Sequence, residues 1–176
     1  MLPEADIDII THAYYDSPIG VLKIGGTEHY ITEISFAAKE TEPAHNNTEP
    51  RPLLHACTEQ LIEYFLGTRQ VFDIPYHQSG TEFQEKVWLA LRMIPAGEAR
   101  SYQEIAQLIG QPNAAQAVGK ANSQNPLLLR IPCHRVIGSD GSMVGYAGEL
   151  WRKEWLLTHE GFEGVNQQMT LFADGE

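Results

Sequence analysis

Polar and apolar residues follow two rhythms along this chain. Over residues 11–37 the period is close to two, that of a half-buried strand, with turn-forming residues between the runs. Tyr14-Tyr15-Asp16-Ser17-Pro18-Ile19-Gly20 carries turn chemistry and Val21-Leu22-Lys23-Ile24 is a strand. Gly25-Gly26-Thr27 is the expected hairpin turn, and Tyr30 to Phe36 is the returning strand. Residues 38–51, rich in Glu, Pro, Asn and Thr, are expected as an exposed loop. From Leu53 the period becomes helical. Leu54, Cys57, Leu61, Tyr64 and Phe65 form one stripe, which makes Cys57 a small buried hydrophobe, and Gly67 ends the helix. A short strand is predicted at Val71-Phe72-Asp73-Ile74, at the start of a linker over residues 68–80.

Two capping boxes punctuate the second half. Thr81-Glu82-Phe83-Gln84 opens a helix with Phe83, Val87, Trp88, Leu91 and Ile94 on one side, and Pro95-Ala96-Gly97 breaks it. Ser101-Tyr102-Gln103-Glu104 opens another, with Ile105 and Leu108 inward. Gly110-Gln111-Pro112-Asn113 is a tight turn, with Asn113 as N-cap of a small-residue helix over 114–122. Two short helices around a Gly-containing turn match a helix-turn-helix. A second helix made of Ala and Gly fits a DNA groove or the flank of a neighbouring helix, and the pattern leaves both open. Gly138 to Ser142 is a turn, Gly145-Tyr146-Ala147-Gly148 a loop, and Leu150 to Thr158 a last helix with Trp151, Trp155 and Leu156 partly buried. The fold class is therefore α+β. Residues 1–78 form a small antiparallel sheet with a helix, 79–165 a mostly helical domain, and 166–176 a tail.

Composition narrows the class. With 176 residues, 43% hydrophobic and 20% charged, the chain is too apolar for disorder and long enough for a real core. No apolar run approaches the ~20 residues of a membrane span. Met1-Leu2-Pro3-Glu4-Ala5-Asp6 lacks the basic start of a signal peptide. A cytoplasmic protein without a membrane partner is expected. Its two cysteines, Cys57 and Cys133, do not suggest a disulfide framework. Nothing points to an oligomer, so a monomer is expected.

A net charge of −11 argues against a generic nucleic-acid binder, which is usually basic. The charge is uneven, however. Residues 1–78 carry four Lys/Arg against twelve Asp/Glu, a net −8, whereas 99–153 carry six against three, a net +3. An anionic partner is thereby permitted at the second segment.

The candidate chemistry lies in that segment. Ile131-Pro132-Cys133-His134-Arg135-Val136 puts a thiol beside an imidazole and a guanidinium. A cysteine in apolar surroundings is ordinarily an inert core residue. Adjacent His134 and Arg135 favour a thiolate, which is the nucleophilic form. Neighbours on an extended strand face opposite ways, so a turn after Pro132 is needed to bring thiol and imidazole together, directly or through a water. Glu160 sits at the C-terminal end of the last helix, where the helix dipole opposes a carboxylate by roughly 0.3–1 kcal/mol. A His partner compensates, and Cys133, His134 and Glu160 then follow the logic of nucleophile, base and orienting carboxylate. The plain alternatives are a His satisfied by backbone and a solvated Glu. The seven His are scattered, with no Cys-x-x-Cys and no His-x-x-x-His pair, so no metal is expected. Phosphate-loop and dinucleotide fingerprints are missing, so no nucleotide cofactor is expected.

Pro132-Cys133-His134-Arg135-Val136 resembles the signature of the O6-alkylguanine-DNA alkyltransferases, the methylated-DNA–protein-cysteine methyltransferases. Ile94-Pro95-Ala96-Gly97-Glu98, Ser101-Tyr102, Ala114-Ala115-x-Ala117-Val118-Gly119 and Asn125-Pro126 resemble that family in order and spacing. So do Gly145-Tyr146-Ala147-Gly148 and Lys153-Glu154-Trp155-Leu156-Leu157-x-His159-Glu160-Gly161. The similarity covers residues 80–161, and the N-terminal part fits loosely through Ser17-Pro18-Ile19-Gly20. It implies a ribonuclease-H-like first domain and a winged-helix-like second one. It also implies a reaction: a guanine alkylated on O6 in double-stranded DNA flips into a pocket, and Cys133 takes the alkyl group permanently. His134 is the implied base, Glu160 its orienting partner and Tyr102 the proton donor to guanine. Groups at Val136, Tyr146 and Ala147 receive the base, and Asn125 braces the turn before the nucleophile. Ala114, Ala115, Gly119, Lys120 and Arg135 complete the implied DNA-binding set.

One position departs from the family. Its usual Arg, which enters the stack where the base left, is here Gln116. A Gln can hydrogen-bond the orphaned base but brings no charge. The family's zinc site, present in some members, has no place here, since Cys57 sits on a helix stripe. A non-catalytic sensor of alkylated DNA and a cysteine hydrolase using Cys133 and His134 are the competing readings. The first leaves Cys133 without a purpose, and the second leaves the helix-turn-helix without one.

Overall fold

The computed structural model describes residues 9–38, 51–144, 146 and 148–164. The expected tail, nearly all of the expected 38–51 loop, Gly145 and Ala147 lie outside them. Two compact units meet in sequence between Gln78 and Ser79. Among the described residues no helix is long and apolar enough to cross a membrane.

In the first unit, β1 (Thr11–Ser17), β2 (Gly20–Gly26) and β3 (Ile31–Phe36) form an antiparallel sheet in chain order. Leu22 and Ile24, two apart on β2, are fully buried, as the strand period requires. Helix α1 (Pro52–Phe65) buries Leu54, Cys57, Leu61, Tyr64 and Phe65, the stripe its spacing predicts. Two expectations fail here. Gly25 and Gly26 are strand residues paired with His12 and Thr11, and the turn follows them at Thr27–Tyr30. Close approach requires the glycines: a Cβ would fall 3.1 Å from the His12 ring at Gly25 and 2.8 Å from the Tyr30 carbonyl at Gly26. Val71–Ile74 forms no strand. Phe72 and Ile74 are buried, but the backbone joins the sheet only later, at a single bridge between Tyr76 and Ile31.

In the second unit, α2 (Glu82–Leu91) and α3 (Tyr102–Leu108) begin with the two expected capping boxes, at Thr81/Gln84 and Ser101/Glu104. Helix α3 and helix α4 (Ala115–Ser123) make the helix-turn-helix pair. Trp88 on α2 donates through Nε1 to the Ala121 carbonyl of α4 at 2.9 Å, so α4 packs on one flank while its other side stays open. Leu108 is 65% exposed, contrary to expectation. The inward stripe is Tyr102, Ile105, Ala106 and Ile109, and Leu108 falls off it. Nor does Asn113 cap α4. Ala114 holds that position without a side-chain cap, because a turn closed by the Ala114 amide on the Gln111 carbonyl carries the chain one residue further. Helix α5 spans Leu150–His159.

A two-residue parallel pair positions the chemistry. Strand β4 (Arg100–Ser101) lies beside β5 (Val136–Ile137) in register Arg100↔Val136 and Ser101↔Ile137. Tyr102 follows β4 directly and the Cys133 segment precedes β5 directly, so this short ladder brings the two together.

Candidate active site

The approach to Cys133 is a built turn. Asn125 is buried; its Nδ2 donates to the Ile131 carbonyl at 2.8 Å and the Leu127 carbonyl at 3.3 Å, and its Oδ1 accepts from the Leu127 amide at 3.0 Å. Within that clamp Leu129 takes φ 68°, a left-handed conformation that costs a non-glycine residue free energy. Three hydrogen bonds made by the Asn125 side-chain amide hold it. Cys133, His134 and Arg135 then form a 3-10 turn, closed by the Arg135 amide on the Pro132 carbonyl. The turn that adjacency of thiol and imidazole demands is therefore present.

His134 and Arg135 both turn toward Glu160, the residue capping the end of α5. His134 Nε2 lies 2.7 Å from Glu160 Oε1. Arg135 donates through Nε to Oε2 and through Nη2 to Oε1, each at 2.8 Å, and through Nη1 to the Ile94 carbonyl at 2.6 Å. The Glu160 side chain is 2% exposed. Burial alone would raise its carboxyl, but His134 and Arg135 hold it well below the usual carboxylate range. An ionised carboxylate only accepts, so His134 Nε2 carries the proton. Burial lowers the imidazole's own proton affinity against the pull of Glu160, which keeps His134 neutral. Its Nδ1, buried and without a hydrogen-bond partner among the described residues, is then a free lone pair, the form a general base requires. Arg135, expected to contact DNA, is instead interior. Its guanidinium is consumed by Glu160 and a carbonyl, so it fixes the carboxylate that the helix end disfavours.

Cys133 is 1% exposed, and burial pushes its thiol up. Acting the other way are a hydrogen bond from the Asn125 side chain and the charge of Lys153. The cation that reaches the thiol is thus Lys153, and the sequence neighbours His134 and Arg135 are committed elsewhere. Tyr102 is pushed up to about 12, by burial first and then by the charge on Cys133. Its hydroxyl donates to the Val144 carbonyl. Tyr146 rises well above the ordinary tyrosine range for the same two causes. Both phenols therefore stay protonated donors beside the thiol.

The outward face of α4 is open. Gln116 and Lys120 on α4 are exposed, Ala114, Ala115 and Gly119 are half-buried, and a Cβ at Gly119 would touch the Tyr102 ring at 3.7 Å. The helix presenting Gln116 thus rests on the tyrosine beside the nucleophile. Two residues escaped the sequence reading. Asn122 on α4 is fully buried and donates through Nδ2 to the Cys133 carbonyl at 3.2 Å. Lys153 on α5 is fully buried too. A polar residue at an inward helical position was the available signal for both. Among the described residues no cluster of His, Cys, Asp and Glu could hold a metal ion.

Residues 82–162 match the family model for the 6-O-methylguanine DNA methyltransferase DNA binding domain, and residues 10–77 match that for its ribonuclease-like domain. A methylated-DNA–protein-cysteine methyltransferase of Mycolicibacterium paratuberculosis is 45% identical over 153 residues, covering 86% of this chain and 93% of that protein. One from Methanosarcina acetivorans is 43% identical over 152 residues, covering 85% and 97%. The crystal structure of Mycobacterium tuberculosis O6-methylguanine methyltransferase aligns with a TM-score of 0.77 at 42% identity, over 87% of this chain and 93% of that one. The Mycobacterium tuberculosis OGT structure in complex with DNA gives 0.76 at 43%, over 85% and 92%.

Proposed function

The chain belongs to the 6-O-methylguanine DNA methyltransferase family, and from that premise we propose that it repairs DNA by moving an alkyl group from guanine O6 onto its own Cys133. Its partner is DNA, and its substrate is an O6-alkylguanine flipped out of the duplex. The observation that carries the reading is the His134 geometry: Nε2 fixed on an ionised carboxylate, Nδ1 a buried lone pair, and the thiol one residue away. His134 Nδ1 takes the Cys133 proton, directly or through a water. The thiolate attacks the alkyl carbon, a sulfur–carbon bond forms, and the carbon–O6 bond breaks with its electron pair going to guanine. Tyr102 protonates the departing ring, exchanging the Val144 carbonyl for the base. The carbon–sulfur bond of the resulting thioether is stable to water, so each molecule acts once.

The remaining residues bind. The carbonyl of Val136 and the backbone at Ala147 receive the base edge, Tyr146 lines the pocket, and Asn125 holds the Leu127–Ile131 turn that presents the thiol. Ala114, Ala115, Gln116, Gly119 and Lys120 face the groove. Flipping costs a few kcal/mol, which groove contacts and stacking offset. The protein acts as a monomer in the cytoplasm, where a lone thiol stays reduced.

The test is intact-protein mass after incubation with an oligonucleotide containing O6-methylguanine. One methyl is gained by the parent and none by Cys133→Ala. Binding without a mass gain would indicate a damage sensor, and released product without a mass gain a hydrolase. Either outcome rejects the proposal.

A further inference from the structure

Asn122 is a second amide at the nucleophile, and the reaction above leaves it unused. It is 0% exposed in the last turn of α4, on the inward face with Val118 and Ala121. An apolar residue is the ordinary choice at such a position, since a buried amide is unfavourable unless it is hydrogen-bonded. Its Nδ2 donates to the Cys133 carbonyl at 3.2 Å. The helix turn that carries it is held from the other flank, where the Ala121 carbonyl accepts from Trp88 Nε1 at 2.9 Å.

The two asparagines grip the chain on either side of the thiol. Asn125 holds what precedes it, at the Leu127 and Ile131 carbonyls. Asn122 holds the peptide that follows it. Among the described residues no peptide bond is cis, so the carbonyl and the N–H of that peptide point in opposite directions. The carbonyl belongs to Cys133 and the N–H to His134. With the carbonyl drawn toward α4, the N–H is turned away from the helix. Burial is the largest influence on the thiol and pushes it up. The Asn125 side chain, the charge of Lys153 and the backbone amides of Cys133 and His134 act the other way. The Cys133 amide is shared with the Ile131 carbonyl at 2.8 Å. The titratable groups that face the thiol are Tyr102 from α3, Tyr146 from the loop before α5 and Lys153 from α5.

Resting on the alkyl-transfer reading, we propose that Asn122 is a positioning residue for that reaction: by holding the Cys133 carbonyl it sets the plane of the 133–134 peptide, so that the His134 N–H faces the Cys133 sulfur and stabilises the thiolate. Asn122 itself touches neither the sulfur nor the substrate, and it makes and breaks no covalent bond. The N–H is aimed before the thiol gives up its proton, so the charge forms against a dipole already in place and little reorganisation is needed.

Nuclear magnetic resonance of the full chain, with isotopic labels on the cysteine carbonyl carbons and the histidine amide nitrogens, tests this. Cys133 precedes His134 whereas Cys57 precedes Thr58, so the labels single out the 133–134 peptide. In the parent the His134 amide proton is expected to move downfield as the thiol ionises, in a titration that Cys133→Ser lacks. Asn122→Leu removes the donor and keeps the branching of the side chain. In it the amide response should shrink and the thiol titration should move to higher pH. Single-turnover methyl transfer at saturating O6-methylguanine oligonucleotide should slow roughly 10-fold, as loss of one hydrogen bond implies, while affinity for the oligonucleotide stays parental. A parental thiol titration in Asn122→Leu overturns the inference whatever the rate, and leaves a packing residue. So does a parental His134 amide that ignores the ionisation of the thiol, and that outcome decides the matter even if Asn122→Leu does not fold. A parent that gains no methyl overturns the underlying reading and this inference together, whereas an active parent with an indifferent His134 amide overturns this inference alone.

Discussion

Glu160 shows most plainly how a single residue was legible. A carboxylate at a helix C-terminus opposes the dipole, so its presence called for a partner. The structure supplies His134 and, beyond expectation, two bonds from Arg135. Cys133, His134 and Glu160 could be read because motif and misplaced charge pointed the same way. Lys153 was harder to read, because its inward position with Leu156 and Leu157 was the one signal and a lysine stem commonly carries its ammonium out to water. The Glu160 cluster has a consequence for stability against pH. The folded carboxyl titrates below its unfolded value of 4.5, so its contribution is complete above that pH and is lost as pH falls toward the lower folded value. His134 adds to this in the same direction, since below 6.5 the unfolded chain takes up a proton that the folded imidazole resists. Glu160→Gln should lose about 3 kcal/mol of stability at neutral pH by leaving Arg135 without its counter-ion. Its methyl transfer should fall roughly 100-fold as the base loses its orientation. Thermal unfolding across an acid series checks the linkage: the variant's midpoint should vary less with pH below 4.5 than the parent's. An equal dependence would contradict it.

Among the elements, those defined by local signals were readable and those defined by tertiary contact were not. Thr81 and Ser101 announce α2 and α3 because a capping box is complete within four residues. Gly25 and Gly26 read as a turn because the groups that crowd them, the His12 ring at Gly25 and the Tyr30 carbonyl at Gly26, are brought close only by the folded sheet. Val71 to Ile74 read as a strand because burial of Phe72 and Ile74 mimics the alternation of a sheet. Helix α4 left two readings open, and the structure supplies the packing one, with Val118 and Ala121 inward, while Gln116 and Lys120 on its other side are exposed. Gln116 is where this element departs from its family. Gln116→Arg should raise the rate of repair on duplex DNA, by placing a charged side chain in the gap left by the flipped base. On a single-stranded oligonucleotide, with no partner base to hold apart, the gain should largely vanish. Rates on the two substrates check this, and an unchanged or lower duplex rate removes the idea. Asn122 ties α4 to the nucleophile's turn, since it bonds directly to the Cys133 carbonyl. Asn122→Ala should slow transfer more than it weakens binding, because the cost falls on the presentation of the thiol. Single-turnover rates set against binding isotherms separate the two, and equal losses would place the effect in folding.

Taken whole, the molecule is acidic, with a net charge of −11, and carries its small positive excess in the segment that holds the site. Few phosphates can be neutralised by so few cations. The logarithm of DNA affinity against that of salt concentration should therefore have a slope shallower than about −4, at roughly −0.9 for each phosphate contacted. A steeper slope, measured by titration at several salt concentrations, would place more cations on the duplex than this chain presents. The central claim is narrower than binding: Cys133 itself keeps the alkyl group, once. It is tested most directly by digesting the protein after exposure to excess O6-methylguanine oligonucleotide and locating the methyl group by peptide mass. The account predicts one methyl per molecule, on Cys133, with Cys57 unmodified and no further transfer on adding fresh substrate. Methyl on any other residue, or substrate consumed beyond one equivalent, would contradict it.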